Sequence, residues 1–323
     1  MKLIFNKIYK SISNLQEYDL PDFVVLTGKN GSGKSHLMEA IAHEDVCVVQ
    51  GDDGERLSRI KYIPFNGLNP RVDERCDYTA LMNNRKQTWK NIEQHISKFY
   101  STKERYNWDL QTFLGAYPDS KRLLEHWLEL TGGDINSITE DLVFDNYEIT
   151  SKELFSSQVA SVFKLYHIRL VENKFNQFLN VTEGEHNNVY SDEEFEKTYG
   201  PKPWDLINRM LSRAGLSYEV NHPEGNVKEL DFHLHLTDVK TGIEIQVNDL
   251  STGEKVLMSL ALSIYNAKEE TAKPDILLLD EPDAALHPDF SRVLIDSIEH
   301  SIVRDAGVRV IVSTHSPLTV VLS

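Results

Sequence analysis

Eight residues near the N-terminus, Gly28-Lys29-Asn30-Gly31-Ser32-Gly33-Lys34-Ser35, fit the spacing G-x-x-x-x-G-K-[ST], and His36 follows them. A loop of this kind can hold phosphate. Its glycines let the backbone wrap an anion without Cβ clashes, and N–H groups at the start of a helix then face the charge. Lys34 has the length to reach the β- and γ-phosphates of a nucleotide, and the Ser35 hydroxyl suits Mg²⁺. The motif requires a strand before it and a helix after it. Phe23-Val24-Val25-Leu26 is a short apolar run that predicts a buried parallel strand, and Leu37, Met38 and Ile41 predict a helix over 34–43.

Three further stretches could serve the same chemistry. Ile276-Leu277-Leu278-Leu279 ends in Asp280-Glu281-Pro282, which puts two carboxylates at the C-terminal tip of a buried strand. Ligands of open α/β sheets bind at that end. Asp280 would hold Mg²⁺, directly or through water, and Glu281 would orient or deprotonate an attacking water. Alone, the stretch also reads as a strand followed by an acidic turn. Ser251, Thr252, Gly253 and Glu254 open a second helical run, with Ser251 as its cap. That makes a second helix start able to face an anion, or an ordinary capped helix. His315 follows the apolar strand Val308–Val312 and could donate to a γ-phosphate or sit in a plain loop.

Taken together and in this order, GKNGSGKS, LSTGEK, LLLDEP and STHSP resemble the Walker A, signature, Walker B and H-loop motifs of ABC-type ATPases. His287-Pro288 within LDEPDAALHP, and the segment KPWDLINRMLSRAGLSYEV, are similar to the soluble branch. That branch contains the OLD and RecF-like ATPases and the ATPases of Septu and retron anti-phage systems. The resemblance covers residues 1–70 and 203–323. It implies ATP and Mg²⁺ as ligands, with Ser35 and Asp280 on the metal, Glu281 and His315 as catalytic groups, and Lys29 to His36 around the phosphates. It also implies a homodimer closed by an ATP sandwich, in which Ser251 and Gly253 of one copy reach the nucleotide of the other, and higher oligomers built on it. Residues 283–287 would form the loop crossing that interface. A nuclease or toxin effector, controlled by this switch in anti-phage defence, is the implied partner. A RecF- or SMC-like DNA-repair ATPase that clamps nucleic acid, or a slow scaffold, are the other readings; His287 argues against a transporter subunit. The resemblance departs at the glutamine expected after the next strand: Asn66 stands there with a shorter reach toward metal or water, and Gln50 is a weaker candidate. The branch also continues beyond the position of Ser323, so a C-terminal remainder is expected outside this sequence.

These motifs need elements to position them. Asp45–Gln50 and Arg59–Phe65 predict strands, as do Ser217–Val220, Asp231–Thr237 and Gly242–Val247. Helices are expected over 253–267 and 289–305. Residues 78–182 become poor in Gly and Pro and carry helical spacing, as in Phe155, Val159, Phe163, Tyr166 and Leu170. The longest helix is expected over 151–179, a loop over 183–202, and a helix over 203–213 opened by Pro203. The predicted fold class is α/β: an ABC-type P-loop nucleotide-binding domain with a mixed, mainly parallel sheet. Its core is 1–71 and 203–323, interrupted by a helical insertion at 72–202.

Composition narrows the classes. The chain has 323 residues, 40% hydrophobic and 26% charged, which is ordinary for a folded protein. No apolar run is long enough for a membrane span, and MKLIFNKIYKS is too polar for a secretory signal. The two cysteines, Cys47 and Cys76, exclude a disulfide scaffold and a cysteine-rich zinc site and suit the cytoplasm. A net charge of -16 opposes coating of nucleic acid over the whole surface. A local basic stretch remains at Arg85, Lys86, Lys90, Lys98, Lys103 and Arg105, with Trp89, Tyr100, Tyr106 and Trp108 among them; these read as helix packing or as stacking groups for bases. Tyr9 reads as a core tyrosine or an adenine neighbour. His233 and His235 read as an ordinary strand face or two metal ligands.

Overall fold

Strands that are apolar on both faces can only sit inside a sheet covered by helices. In the computed structural model, β12 (Ile276–Asp280) is buried along its whole length and lies between two parallel neighbours. The structure describes residues 1–13, 16–64, 72–147, 149, 158–213, 215–225, 229–251, 253–256, 258, 274–284, 286–305 and 307–322. The parallel sheet has the order β3 (Phe23–Thr27), β13 (Arg309–Thr314), β12 and β6 (Ile60–Ile63). Register pairs Asp280 with Ser313, Thr314 with Thr27, and Leu278 with Tyr62. All these strands therefore end at one edge, where the sequence places its chemistry. Helix α1 (Lys34–Ala42) covers one face, burying Met38 and Ile41 against Ile276, Leu278 and Ile311. Full burial of side chains this size contributes about 1.5–3 kcal/mol each.

The antiparallel strands form separate sheets. β1 (Lys2–Phe5), β2 (Glu17–Asp19), β4 (Cys47–Gln50) and β5 (Arg56–Leu57) make one in the order β2-β1-β4-β5. β8 (Tyr218–Val220), β10 (Leu236–Asp238) and β11 (Glu244–Ile245) make another. β7 (Arg75–Cys76) and β9 (Phe232–His233) are two-residue strands. The strand expected over Asp231–Thr237 is thus broken at Leu234-His235.

The chain divides into two units: Met1–Arg75 with Ser151–Val227 and His233–Ser323, and Cys76–Thr150 with Lys228–Phe232. The second is helical. Its α2 (Tyr78–Tyr106) is capped by Asp77 and closed by Asn107 in the left-handed region. α3 (Leu110–Ala116) is capped by Asp109, α4 (Pro118–Leu130) opens on proline, and α5 (Glu140–Asp145) is capped by Thr139. Ile92, Phe99, Phe113, Leu124 and Val143 form its core. Trp89 packs on that core, Lys98 lies 3.7 Å from the Tyr117 ring centre, and Tyr100 and Tyr106 stay exposed.

The first unit holds α6 (Val159–Thr182), α7 (Asp192–Tyr199), α8 (Pro203–Arg213), α9 (253–256), α10 (Pro288–Ser297), which runs on as a π-helix over Ile298–Asp305, and α11 (Pro317–Leu322). This division differs from the expected insertion at 72–202, because α6 and α7 belong to the larger unit. Trp204 of α8 explains part of it: its ring meets Phe163 and Tyr166 of α6 edge-on. The longest described helix is α2; 150–157, where the sequence starts a longer α6, lie outside the described residues. The expected loop at 183–202 contains α7, whose start is a capping box: Ser191 accepts from Glu194 N, and Glu194 accepts from Ser191 N. Three asparagines of α6 tie down the segment before it. Asn173, Asn176 and Asn180 donate to the carbonyls of Tyr190, Asn188 and Asn187. No helix among the described residues is long and apolar enough to cross a membrane.

Candidate functional site

The loop between β3 and α1 has the conformation an anion cradle needs. Gly31 and Gly33 sit at φ 80° and 95°, where L side chains are strained. A Cβ on Gly28 would fall 2.8 Å from Ser32 Oγ, and one on Gly33 would fall 2.9 Å from Ser11 Oγ. The first N–H groups of α1 have no intrahelical partner, and Gly33 supplies no side chain to cap them. Lys34 Nζ donates to Gly28 O at 3.0 Å, curling back over the loop it follows. A cavity of about 220 Å³ lies here, lined by Asn30 to His36 and by Glu281. His36 Nδ1 is 2.8 Å from Ser11 Oγ, so the turn at Tyr9–Ile12 braces the first turn of α1. Tyr9 itself packs with the core around α1, its ring 5.2 Å from that of His43.

Glu281 reaches the cavity because the chain turns sharply after β12. Its φ is 51°, uncommon for a residue with a side chain. Its N–H donates to the carbonyl and to the hydroxyl of Ser313, at 3.0 and 3.1 Å. One carboxylate oxygen is 3.8 Å from Lys34 Nζ, the other 3.2 Å from His315 Nδ1. The structure thus brings Lys34, Glu281 and His315 together.

Asp280 is 4% exposed. Tyr62 donates to its Oδ2 at 3.1 Å and Ser313 to its Oδ1 at 2.5 Å. Burial, then the Asp280 charge, raises the Tyr62 hydroxyl far above the usual phenol range, so it stays a donor. Asp283 is equally buried; Thr314 and Thr319 both donate to its Oδ2, while Oδ1 has no hydrogen-bond partner among the described residues. Tyr62, Ser313, Thr314 and Thr319 were not assigned roles from the sequence. The hydroxyl-rich strand end STHS carries Ser313 and Thr314 in plain view; no local signal marks Tyr62 or Thr319.

The second helix start is closed on itself. Ser251 N and Oγ both donate to Glu254 Oε2, at 2.8 and 2.7 Å, and Glu254 N donates back at 3.4 Å. Gly253 lies tight against Leu286 and Phe290, with 3.3 Å to either from a Cβ built there. Ser251, Gly253 and Glu254 do not line the cavity of the glycine loop. Thr252 and Asn66 lie outside the described residues. Gln50 ends β4 in the antiparallel sheet. His233 is exposed, and His235 Nε2 is 3.6 Å from Glu244.

The residues suit a nucleotide with a hard cation. The loop takes glycine where the backbone is left-handed, at Gly31 and Gly33, and where a side chain would crowd Ser32 or Ser11, at Gly28 and Gly33; Ser35 and Asp280 are oxygen ligands of the kind Mg²⁺ prefers.

The family model described as "AAA domain, putative AbiEii toxin, Type IV TA system" matches residues 23–321. The chain belongs to this AAA_21 family of ABC-like ATPases. Its sheet is the α/β P-loop arrangement of that class, with the glycine loop following β3 and the paired acids at the end of β12. One stretch is 36% identical over 94 residues to the "Retron Vc95 probable ATPase" of Vibrio cholerae serotype O1 biovar El Tor, covering 27% of this chain and 18% of that protein. Another match is 33% identical over 97 residues to the "Tyrosine transport ATP-binding protein" of Clostridioides difficile (strain R20291), covering 30% and 36%. The AAA_21 chain thus matches well under half the length of these relatives. The SMC head domain from Thermotoga maritima superposes with a TM-score of 0.39 at 14% identity, over 100% of this chain and 91% of that one. So low a superposition adds nothing to the family assignment.

Proposed function

We propose that this AAA_21 protein binds ATP with Mg²⁺ at the glycine loop and hydrolyses it. The observation that carries the reading is the single cavity shared by Asn30 to His36 and Glu281. Lys34 and the start of α1 neutralise the phosphates, Ser35 and Asp280 hold the cation, and Glu281 orients the attacking water. His315, beside Glu281, donates to the terminal phosphate. When bound, Mg²⁺ offsets charge on the phosphoryl oxygens; the protein's share is positioning and electrostatics. Ser251 and Gly253 act on a second copy, which fits their absence from the lining of their own chain's cavity. The nucleotide then sets closure of a homodimer. The family description and the retron relative support an output through a toxin or nuclease effector in anti-phage defence.

Phosphate release and ATP binding by the purified chain, beside Lys34→Ala, test the catalytic part. Wild type should turn over with Mg²⁺, and the variant should lose nucleotide binding; equal affinity in both would overturn the assignment. Affinity capture from the native cell with ATP and Mg²⁺ tests the output. A co-purifying nuclease, toxin or reverse transcriptase complex supports it, and duplex DNA without a protein partner overturns it in favour of a DNA clamp.

A further inference from the structure

The two hydroxyls on Asp280 come from the two strands that flank it. Tyr62 lies on β6 and Ser313 on β13, and each takes a different carboxylate oxygen. An aspartate χ2 is broad and nearly two-fold, so one donor would leave the carboxylate plane free to swing. Two donors, on separate oxygens and anchored in separate strands, fix it. A carboxylate has about four acceptor positions, so each oxygen keeps capacity for a further ligand. Both donors are neutral, and among the described residues Asp280 makes no ion pair. A buried carboxylate whose partners among the described residues are hydroxyls has no counter-charge there. Tyr62 also packs against the core cluster that contains Met38 and Ile41, two residues of the helix that begins at Lys34-Ser35. Its ring therefore joins the Asp280 carboxylate to the core beneath the helix that carries Ser35.

We propose that Tyr62 is a positioning residue for the metal half of this site: with Ser313 it sets the plane in which Asp280 offers its remaining lone pairs to a divalent cation. The inference rests on the nucleotide reading above. It assigns Tyr62 an effect on the metal, with the nucleotide held by the loop as before. Outer-sphere partners that orient a ligand typically change metal affinity on the order of 10- to 100-fold.

Tyr62→Phe removes the hydroxyl and keeps the ring. The full chain would be titrated with Mg²⁺ at fixed fluorescent ATP analogue, and with Mn²⁺ followed by electron paramagnetic resonance. The Tyr62→Phe midpoint for either metal should rise about 10-fold or more. Analogue affinity in EDTA and the melting temperature should match wild type. Ser313→Ala should shift the metal midpoint in the same direction. Unchanged metal midpoints in both variants would overturn the proposal. So would a Tyr62→Phe protein that loses metal-free affinity and thermal stability together, since that is the mark of a packing role. A wild-type chain whose nucleotide binding ignores metal would fail the nucleotide reading itself, a result distinct from either.

Discussion

His315 Nδ1 stands 3.2 Å from a carboxylate oxygen of Glu281. The two come from the tips of adjacent parallel strands, and the left-handed turn at Glu281 is what aims the carboxylate back toward the histidine. The other oxygen of Glu281 faces Lys34. An anion entering the glycine loop would compete for that lysine and leave Glu281 with the histidine as its neighbour.

Glu281→Gln keeps the shape of this arrangement and removes its charge. ATP binding should persist while phosphate release falls by about 100-fold or more, the usual range for a positioned base. With turnover blocked, ATP should raise the mass seen by light scattering to that of a dimer. Release at the wild-type rate would remove Glu281 from the catalytic role.

Gly33→Ala should cost about 1–2 kcal/mol from its left-handed backbone alone, with the contact to Ser11 Oγ adding to it. Urea midpoints would measure this. Gly33→Ala combined with Ser11→Gly relieves the contact and not the backbone strain, so it should recover only part of the loss. Full recovery would mean that the φ of 95° is not the main constraint.

His167, buried in α6, has its pKa lowered, chiefly by burial and then by Lys164. The unfolded chain therefore binds the proton more readily than the folded one. The penalty is absent well above the ordinary histidine value of about 6.5 and grows as pH falls through it. The melting temperature should drop between pH 7.5 and 5.5, and drop less in His167→Gln. Identical slopes would show that other groups govern the acid limb.

Burial pushes the Cys47 thiol up to about 11. Cys76 is buried as well. Native protein at pH 8 should therefore react slowly with an aromatic disulfide reagent, and urea-unfolded protein should release two thiols quickly. Fast labelling of Cys47 in the folded state would contradict the packing of β4.

The strand–loop–helix around Lys34 and the acidic tip of β12 were legible because both are local: a glycine spacing and an apolar run ending in carboxylates. Pro203 likewise announced α8. The capping box at Ser191 and Glu194 was also in the sequence, hidden in a polar stretch that reads as loop. The hydroxyl grip of Tyr62 and Ser313 on Asp280 was not legible. It depends on the order β13-β12-β6, and strand order is set by tertiary pairing rather than by any one segment. The membership of α6 in the larger unit was hidden for the same reason, since helical spacing shows which residues are buried and not what buries them.

The order of the parallel sheet has a consequence for the chain as it is being made. β3 has β13 as its neighbour in the sheet, and the two are separated by nearly the whole sequence. At roughly 5–20 residues per second, the strand carrying the glycine loop waits on the order of tens of seconds for its partner to leave the ribosome. The antiparallel sheet of β1, β2, β4 and β5 draws all its strands from residues 2–57, so its hydrogen-bond partners are present long before β13. A nascent chain can therefore pair these antiparallel strands long before it can complete the parallel sheet, so a product truncated before β12 would carry the glycine loop without the rest of the site.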